Sequence, residues 1–179
     1  LFIHLVALEG LVLIRTEEEK DRAAVHALNA SAFDTSVEAD LVDSLREQAQ
    51  PVVSLVAVDG GAIVGHIMFS PVSLPGHHGL KIMGLAPMAV ATEHRRKGIG
   101  AALVRIGLDQ CRQLGFGDVV VLGHPEYYPC FGFSPSVRFG IGCEYEVPEE
   151  VFMVMELQPG YLLGISGTVR YHTAFSNES

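Results

Sequence analysis

The sequence predicts an α+β domain built on a mixed sheet. Three observations support this class: the order of the apolar segments, a hairpin signal at Asp59-Gly60-Gly61, and a β-branched apolar run over residues 118–122. Read in order, the segments give a strand, two helices, three strands, a helix, a strand, a short helix and further strands. With 179 residues and 49% hydrophobic content, the chain can bury one core. We expect a single domain over residues 11–179, after an N-terminal extension of uncertain structure over residues 1–10.

Capping and turn signals define the elements of the first half. Thr16-Glu17-Glu18-Glu19 has the form of a capping box that opens a helix. A second box over residues 35–38 opens another helix, which must stop before Pro51. The predicted elements are a strand at 11–15, a helix with Val25 and Leu28 inward that ends near Phe33, a helix with Leu41, Val42 and Leu45 inward, and hairpin strands at 52–58 and 62–70.

Apolar runs define the elements of the second half. The segment over residues 101–114 has apolar residues at helical spacing, and residues 118–122 are typical of a buried strand. The predicted elements are a strand at 80–91, a helix with Leu103, Ile106, Cys111 and Leu114 inward, a strand at 118–122, and short strands at 152–157 and 168–171.

The turn Arg95-Arg96-Lys97-Gly98-Ile99-Gly100 lies between a predicted strand and a predicted helix. The first N–H groups of a helix have no intrahelical acceptor, and the helix dipole adds positive charge there. Glycines at 98 and 100 let an oxygen-rich ligand approach the main chain. This pattern predicts an anion site, and a pyrophosphate is the anion that fits it.

Other phosphate-binding motifs fit this turn poorly. The GxxxxGK[ST] string of nucleoside triphosphate loops does not occur, and the turn lacks the third glycine of a dinucleotide-binding fingerprint. The spacing Arg95-x-x-Gly98-x-Gly100 instead resembles the [QR]-x-x-G-x-[GA] motif of the GNAT acyltransferases. In that family the motif holds the pyrophosphate of acetyl-coenzyme A.

A second motif follows the strand at residues 118–122. The string Tyr127-Tyr128-Pro129-Cys130-Phe131-Gly132-Phe133 resembles the family element Y-x-x-x-G-F, with Tyr128 on the family tyrosine. The two motifs occur in the family order, separated by one helix and one strand. The resemblance covers about residues 11–157 and implies a mixed, mostly antiparallel central sheet flanked by helices.

The resemblance also implies a function. We expect an N-acetyltransferase that uses acetyl-coenzyme A to acetylate an amine of a small molecule or a protein by direct attack. The alternatives are a non-enzymatic acyl-CoA-binding regulatory module and, as a weaker reading, a dinucleotide-binding oxidoreductase fragment. The residues expected to bind the cofactor are Met88, Ala89, Val90, Arg95, Arg96, Lys97, Gly98, Ile99, Gly100 and Ala101.

Two residues are expected to be catalytic. Tyr128, with an ordinary phenol pKa near about 10, suits a general acid for the leaving thiolate at neutral pH. His124 follows the strand at 118–122 and has the side chain that suits a base near neutral pH. Glu126, Glu93 and a bound water remain alternative bases.

Composition limits the partners. The net charge of −9 argues against nucleic acid, which needs clustered basic residues, and no apolar stretch predicts a membrane span. Three cysteines without a CxxC pattern favour a reduced, cytoplasmic protein. His77-His78 lacks metal-ligand spacing, so no metal is expected. A homodimer is possible, and Asp34, Glu38 and Asp40 are weak indications of a cationic acceptor.

Overall fold

Ten strands and three α-helices form the computed structural model, which describes residues 3–8 and 10–178. The helices are α1 (Arg22–Phe33), α2 (Val37–Gln48) and α3 (Ile99–Gln113). The strands are β1 (Ile3–Leu8), β2 (Gly10–Thr16), β3 (Val53–Asp59), β4 (Ala62–Val72), β5 (Ile82–Val90), β6 (Asp118–Leu122), β7 (Ser134–Pro135), β8 (Ile141–Cys143), β9 (Phe152–Glu156) and β10 (Gly167–Val169).

Eight of these strands form one sheet in the order β1-β2-β3-β4-β5-β6-β9-β7. Strands β5 and β6 are parallel, and all the other neighbours in this sheet are antiparallel. Strands β8 and β10 form a separate parallel pair. The mixed, mostly antiparallel sheet is therefore confirmed, and the hairpin at Asp59-Gly60-Gly61 joins β3 to β4 as predicted.

Helices cover both faces of the sheet. Leu103 of α3 packs in one apolar cluster with Leu55 and Phe69 of the sheet. Leu45 of α2 packs in another cluster with Val56. Because successive side chains of a strand point to opposite faces, Leu55 and Val56 assign α3 to one face and α2 to the other.

The first helix begins later than the sequence predicted, and the predicted box at Thr16 is wrong. A 3-10 turn over Glu19–Asp21 precedes α1, and the Asp21 carboxylate accepts the N–H of Glu18 at 2.7 Å. Arg15 donates to both oxygens of the same carboxylate, at 2.6 and 2.9 Å. The hydrogen bond from Arg15 is the main reason why the pKa of Asp21 lies below its ordinary value. Glu18 and Asp21 therefore form the capping box that opens the turn, and the ion pair with Arg15 holds Asp21 in place.

The predicted capping box before α2 is also wrong. The cap residue is Ser36, whose side chain makes no capping hydrogen bond. Thr35 instead donates through Oγ1 to the Glu38 carboxylate, at 3.2 Å.

A buried polar network fixes α1 and α2 on the sheet. The His66 ring is fully buried, with Nδ1 at 3.2 Å from the Asn29 amide nitrogen and Nε2 at 2.9 Å from the Ser54 hydroxyl. Nearby, Arg46 of α2 donates to both oxygens of Glu17, at 2.7 and 3.0 Å. Burial is the main cause that lowers the pKa of His66 to about 3, so the ring is neutral.

The inward face of α3 differs in part from the prediction. Leu103 and Cys111 are buried as expected, and Ile106 is half-buried. Leu114 lies beyond the last helical residue and is 45% exposed, so its predicted burial is wrong.

Strand β1 lies within residues 1–10, the predicted N-terminal extension. It pairs with β2 from Ile3, opposite Arg15, to Leu8, opposite Gly10. Residues 1, 2 and 9 of that segment, like Ser179, lie outside the described residues. Within the described ranges, no helix has the length and apolar character needed to cross a membrane.

Candidate active site

Strands β5 and β6 separate partway along the sheet. The last residue pair that joins them is Leu85 with Val121. Strand β5 then continues beside β4 to Val90, whereas β6 ends at Leu122. A wedge opens between the two strands, and no described strand pairs with the outer edge of β5 beyond Leu85.

A bulge lies at the start of this free edge. Met68 of β4 is opposite both Ala86 and Pro87 of β5, because the register shifts there by one residue. Bulges bend the strand that carries the extra residue. Proline has no N–H, so Pro87 can lie at the bulge without leaving a backbone donor unpaired. The bend therefore falls where β5 leaves β6.

The main chain of β5 offers hydrogen-bonding groups to the wedge. The N–H of Ala91 donates to the carbonyl of Val64 across the β4–β5 ladder, at 2.8 Å. Along a strand the direction of these groups alternates, so Met88 and Val90 direct theirs to the opposite side. These are two of the predicted cofactor residues, and they face the wedge.

The turn after β5 leads to the N-terminus of α3. Gly98 caps the helix with a left-handed φ of 84°, which favours glycine. The first α-helical hydrogen bond runs from the N–H of Ala102 to the carbonyl of Gly98, at 3.0 Å. The N–H groups of Ile99, Gly100 and Ala101 therefore precede the helical ladder and are free to bind an anion.

The space beside this helix end is a cleft of about 440 Å³, which we term the α3 cleft. Its lining includes all the predicted cofactor residues except Lys97, which lies exposed on the turn. The other lining residues, Ala32, Phe33, His94 and Tyr127, were not among the predicted cofactor residues.

Two side chains of the turn are tied to neighbouring strands. The Nε2 of His94 lies 3.1 Å from the carboxylate of Asp59, the last residue of β3. Arg95 donates through Nε to the carbonyl of Val90, at 3.1 Å. Arg95 therefore binds the carbonyl of the last residue of β5. Arg96 also lines the α3 cleft, and it is exposed.

Tyr128 starts a single 3-10 turn after β6. Its ring packs edge-on against Phe133, with centroids 5.7 Å apart, and covers Gly123, where a Cβ would overlap the ring. The residue is 8% exposed, and burial is the main cause that raises its pKa to about 12. The hydroxyl is thus protonated at neutral pH, which a proton donor requires.

Tyr127 is a site residue outside the predicted set. Its ring packs edge-on against Tyr128 and Phe131, with centroids 5.1 and 5.2 Å apart. Its hydroxyl lies close to Gly100 of α3, and burial is the main cause that raises its pKa. The doublet of tyrosines before the Gly-Phe pair was the available signal.

A second cleft, of about 610 Å³, lies between the ends of β5 and β6, and we term it the β6 cleft. It shares Phe33, Met88 and Tyr127 with the α3 cleft, so the two clefts adjoin. Its remaining lining residues are Glu38, Leu41, Leu85, Ala86, Pro87, Leu122, Gly123, His124 and Tyr128.

The three candidate bases lie in different places. His124 is exposed at the rim of the β6 cleft. Glu126 is exposed on the neighbouring surface, and Glu93 lies beside α1 on the 3-10 turn that follows β5. Among the three, His124 alone lines the β6 cleft.

Other residues singled out in the sequence lie away from both clefts. His77 and His78 occupy a turn, half-buried and exposed respectively. Asp40 approaches His26 and Asp43 closely enough to share a cation, but Asp43 already binds His26 at 2.8 Å and Arg46 at 2.7 Å. The three cysteines are free thiols.

A family model described as the acetyltransferase (GNAT) family matches residues 18–128, which span the helices, the wedge and the tyrosine doublet. The chain belongs to the GNAT acetyltransferase family. A relative named uncharacterized N-acetyltransferase YhbS, from Escherichia coli K12, is 37% identical over 92% of this chain and 99% of that protein.

Solved structures of GNAT proteins have the same fold. The GNAT family N-acetyltransferase YhbS from Escherichia coli, a complex with CoA, has a TM-score of 0.87 and 36% identity over 92% of each chain. A GNAT family acetyltransferase from Brucella melitensis, a complex with acetyl-CoA, has a TM-score of 0.76 and 33% identity over 92% of this chain and 97% of that one.

Proposed function

We propose that the chain transfers the acetyl group of acetyl-CoA to an amine, within a single domain over residues 11–179. One observation carries the proposal: the end of β5 and the N-terminus of α3 line one cleft, and Tyr128 lines the cleft that adjoins it. An extended arm with a pyrophosphate at one end and a thioester at the other matches this layout.

The α3 cleft is the proposed cofactor site. The pyrophosphate would bind the N–H groups at residues 99–101, with Arg96 adding positive charge. The pantetheine arm would pair with the main chain of Met88 and Val90, as an added strand does at a sheet edge. An N–H of this edge would also polarise the thioester carbonyl.

The chemical step follows from this placement. The lone pair of the free amine attacks the thioester carbonyl carbon, and a C–N bond forms as the C–S bond breaks. The nitrogen loses one proton to a base, and the departing sulfur receives one proton from the Tyr128 hydroxyl. The products are the N-acetyl amine and CoA as its free thiol, and Tyr128 regains its proton from solvent.

The high pKa of Tyr128 shapes its part in this step. A thiol has an ordinary pKa of about 8.5, well below the value of about 12 for Tyr128. Transfer of the whole proton from Tyr128 to the thiolate is therefore uphill by roughly 3.5 pK units, even after the C–S bond has broken. Tyr128 stabilises the developing negative charge by donating a hydrogen bond to the sulfur, and the transfer is completed as solvent returns a proton to the tyrosine oxygen.

His124 is the proposed base, acting directly or through a water at the rim of the β6 cleft. A regulatory module that only binds acyl-CoA would need no hydroxyl donor in this cleft, so the position of Tyr128 favours the enzyme. We also propose a cytoplasmic location, with homodimerisation as a further prediction.

The test is a panel of amines incubated with acetyl-CoA, with thiol release and acetylated product both measured. We expect equal amounts of thiol and product, and preference for acetyl-CoA over ATP or NAD in binding. Tight binding of acetyl-CoA without transfer to any amine would favour the regulatory module instead.

A further inference from the structure

We infer that the acceptor is a primary amine carried on an apolar body, and that Glu38 selects it by binding its cationic form. This inference rests on the proposed function, since it names the acceptor for the same reaction. It follows from what lines the β6 cleft and from what lies just outside it.

The walls of the β6 cleft are mainly apolar. Two helices and two strands supply them, because the loop after α1 brings the end of one helix and the start of the next over the wedge. The larger apolar side chains are Phe33, Leu41, Leu85, Pro87, Met88 and Leu122. Burial against such walls is worth about 0.8 kcal/mol for each methylene of a ligand, or roughly fourfold in affinity.

Among the described residues that line this cleft, Glu38 is the one carboxylate. The residue is half-buried in the first turn of α2, and Thr35 donates to one of its oxygens at 3.2 Å. Of the three acidic residues that the sequence indicated, Asp34 and Asp40 are exposed and outside the lining. A carboxylate among apolar walls is screened less by solvent than one on the open surface, so it attracts an ammonium group more strongly.

The polar groups of the cleft are few. Besides Glu38, the side chains of His124, Tyr127 and Tyr128 are the polar ones in the lining, and the mechanism already uses two of them. A polyhydroxylated amine would leave several buried hydroxyls without partners, which costs affinity. A volume of about 610 Å³ suits a small molecule together with the end of the thioester.

Glu38 acts on binding rather than on the chemical step. The nitrogen attacks only as the free amine, and its proton leaves to the base as described above. Glu38 is therefore a specificity-determining residue, and its removal should raise KM for cationic acceptors and leave kcat nearly unchanged.

A series of unbranched primary amines tests whether the acceptor carries an apolar chain. We expect kcat/KM to rise roughly fourfold for each added methylene until the cleft is filled. Diamines of equal length should be poorer acceptors, because their second charge would enter the apolar part. A preference for aminoglycosides or lysine peptides over every apolar amine would overturn the inference and leave the proposed function intact.

Glu38→Gln tests the carboxylate, with Asp40→Asn as the matched control in the same helical turn. We expect Glu38→Gln to raise KM for the best amine about tenfold or more, Glu38→Asp to recover part of the loss, and Asp40→Asn to behave as the wild type. Melting temperatures verify that each variant is folded. Equal KM values for Glu38→Gln and Asp40→Asn would overturn the role of Glu38, whereas no turnover of any amine by the wild type would overturn the proposed function as well.

Discussion

The hydroxyl of Tyr127 faces Gly100 so closely that a Cβ on residue 100 would lie 3.2 Å from it. The contact joins the turn after β6 to the first turn of α3. Tyr127 lines both clefts. The absence of a side chain at Gly100 therefore makes room for the Tyr127 hydroxyl.

Gly100→Ala should weaken CoA binding without lowering the melting temperature. Alanine favours a helix over glycine by about 1 kcal/mol, so the melting temperature should stay level or rise. The added Cβ pushes against Tyr127 in the α3 cleft, and we expect CoA affinity to fall about tenfold. Calorimetry and thermal melting measure the two effects, and an unchanged dissociation constant would contradict the proposed cofactor site.

Arg96→Gln and Lys97→Gln form a matched pair of neighbouring, exposed cations. Only Arg96 lines the α3 cleft, so Arg96→Gln should weaken CoA binding about tenfold and Lys97→Gln by less than about twofold. Titrations at low and at high salt measure this difference. Equal losses in the two variants would show that the turn acts only through its total charge.

Tyr128→Phe should reduce kcat by about 10²–10⁴-fold and leave CoA affinity unchanged. Tyr127→Phe, the neighbouring control, should lose much less. Because burial raises the pKa of Tyr128 to about 12, its hydroxyl stays protonated well above pH 10. We therefore expect no loss of wild-type kcat between pH 8 and pH 10 from this group. Near-wild-type turnover by Tyr128→Phe would mean that the thiolate leaves unaided.

His124→Ala tests the base through its pH profile. At neutral pH the variant should lose activity, because the attacking nitrogen keeps its proton for longer. At high pH the amine deprotonates without help, so the activity should approach that of the wild type. Initial rates from pH 6 to pH 10 measure this recovery. A profile parallel to that of the wild type would assign the proton to a bound water.

Asp118→Asn should make the protein more stable at alkaline pH. Both carboxylate oxygens of Asp118 are buried without a partner among the described residues, and burial is the main cause that raises its pKa to about 8. An unfolded aspartate ionises near pH 4, so the folded state holds its proton between about pH 4 and pH 8. The wild type should therefore lose stability as pH rises through this range.

We expect Asp118→Asn to remove this loss and to gain about 1–3 kcal/mol at pH 8. Urea unfolding at pH 5 and pH 8 gives the free energies of both proteins. The same pH dependence in the two would show that other groups govern alkaline stability.

The sequence predicted the parts of the site that are local along the chain. The basic turn, the strand before it and the helix after it lie where their patterns placed them, because each pattern depends on neighbours a few residues away. The bulge opposite Met68 and the separation of β5 from β6 depend on strand register, which no local pattern encodes. Phe33 and Glu38 enter the clefts only through the packing of α1 and α2.

Helix starts show the same limit. A capping box at Thr16 was reasonable from spacing alone, but Arg15 holds Asp21 and moves the start of α1 toward it. Two local capping boxes compete here, and the ion pair with Arg15 of β2 favours the one that Glu18 forms with Asp21.

A ligand bound at the free edge of β5 would stabilise the whole domain against unfolding. A ligand that pairs with Met88 and Val90 binds the folded chain alone, since the edge exists only while β4 and β5 are paired. At a concentration one hundred times its dissociation constant, such a ligand adds about 2.7 kcal/mol to the unfolding free energy. The protein's lifetime under heat or proteolysis would then rise and fall with the supply of that ligand.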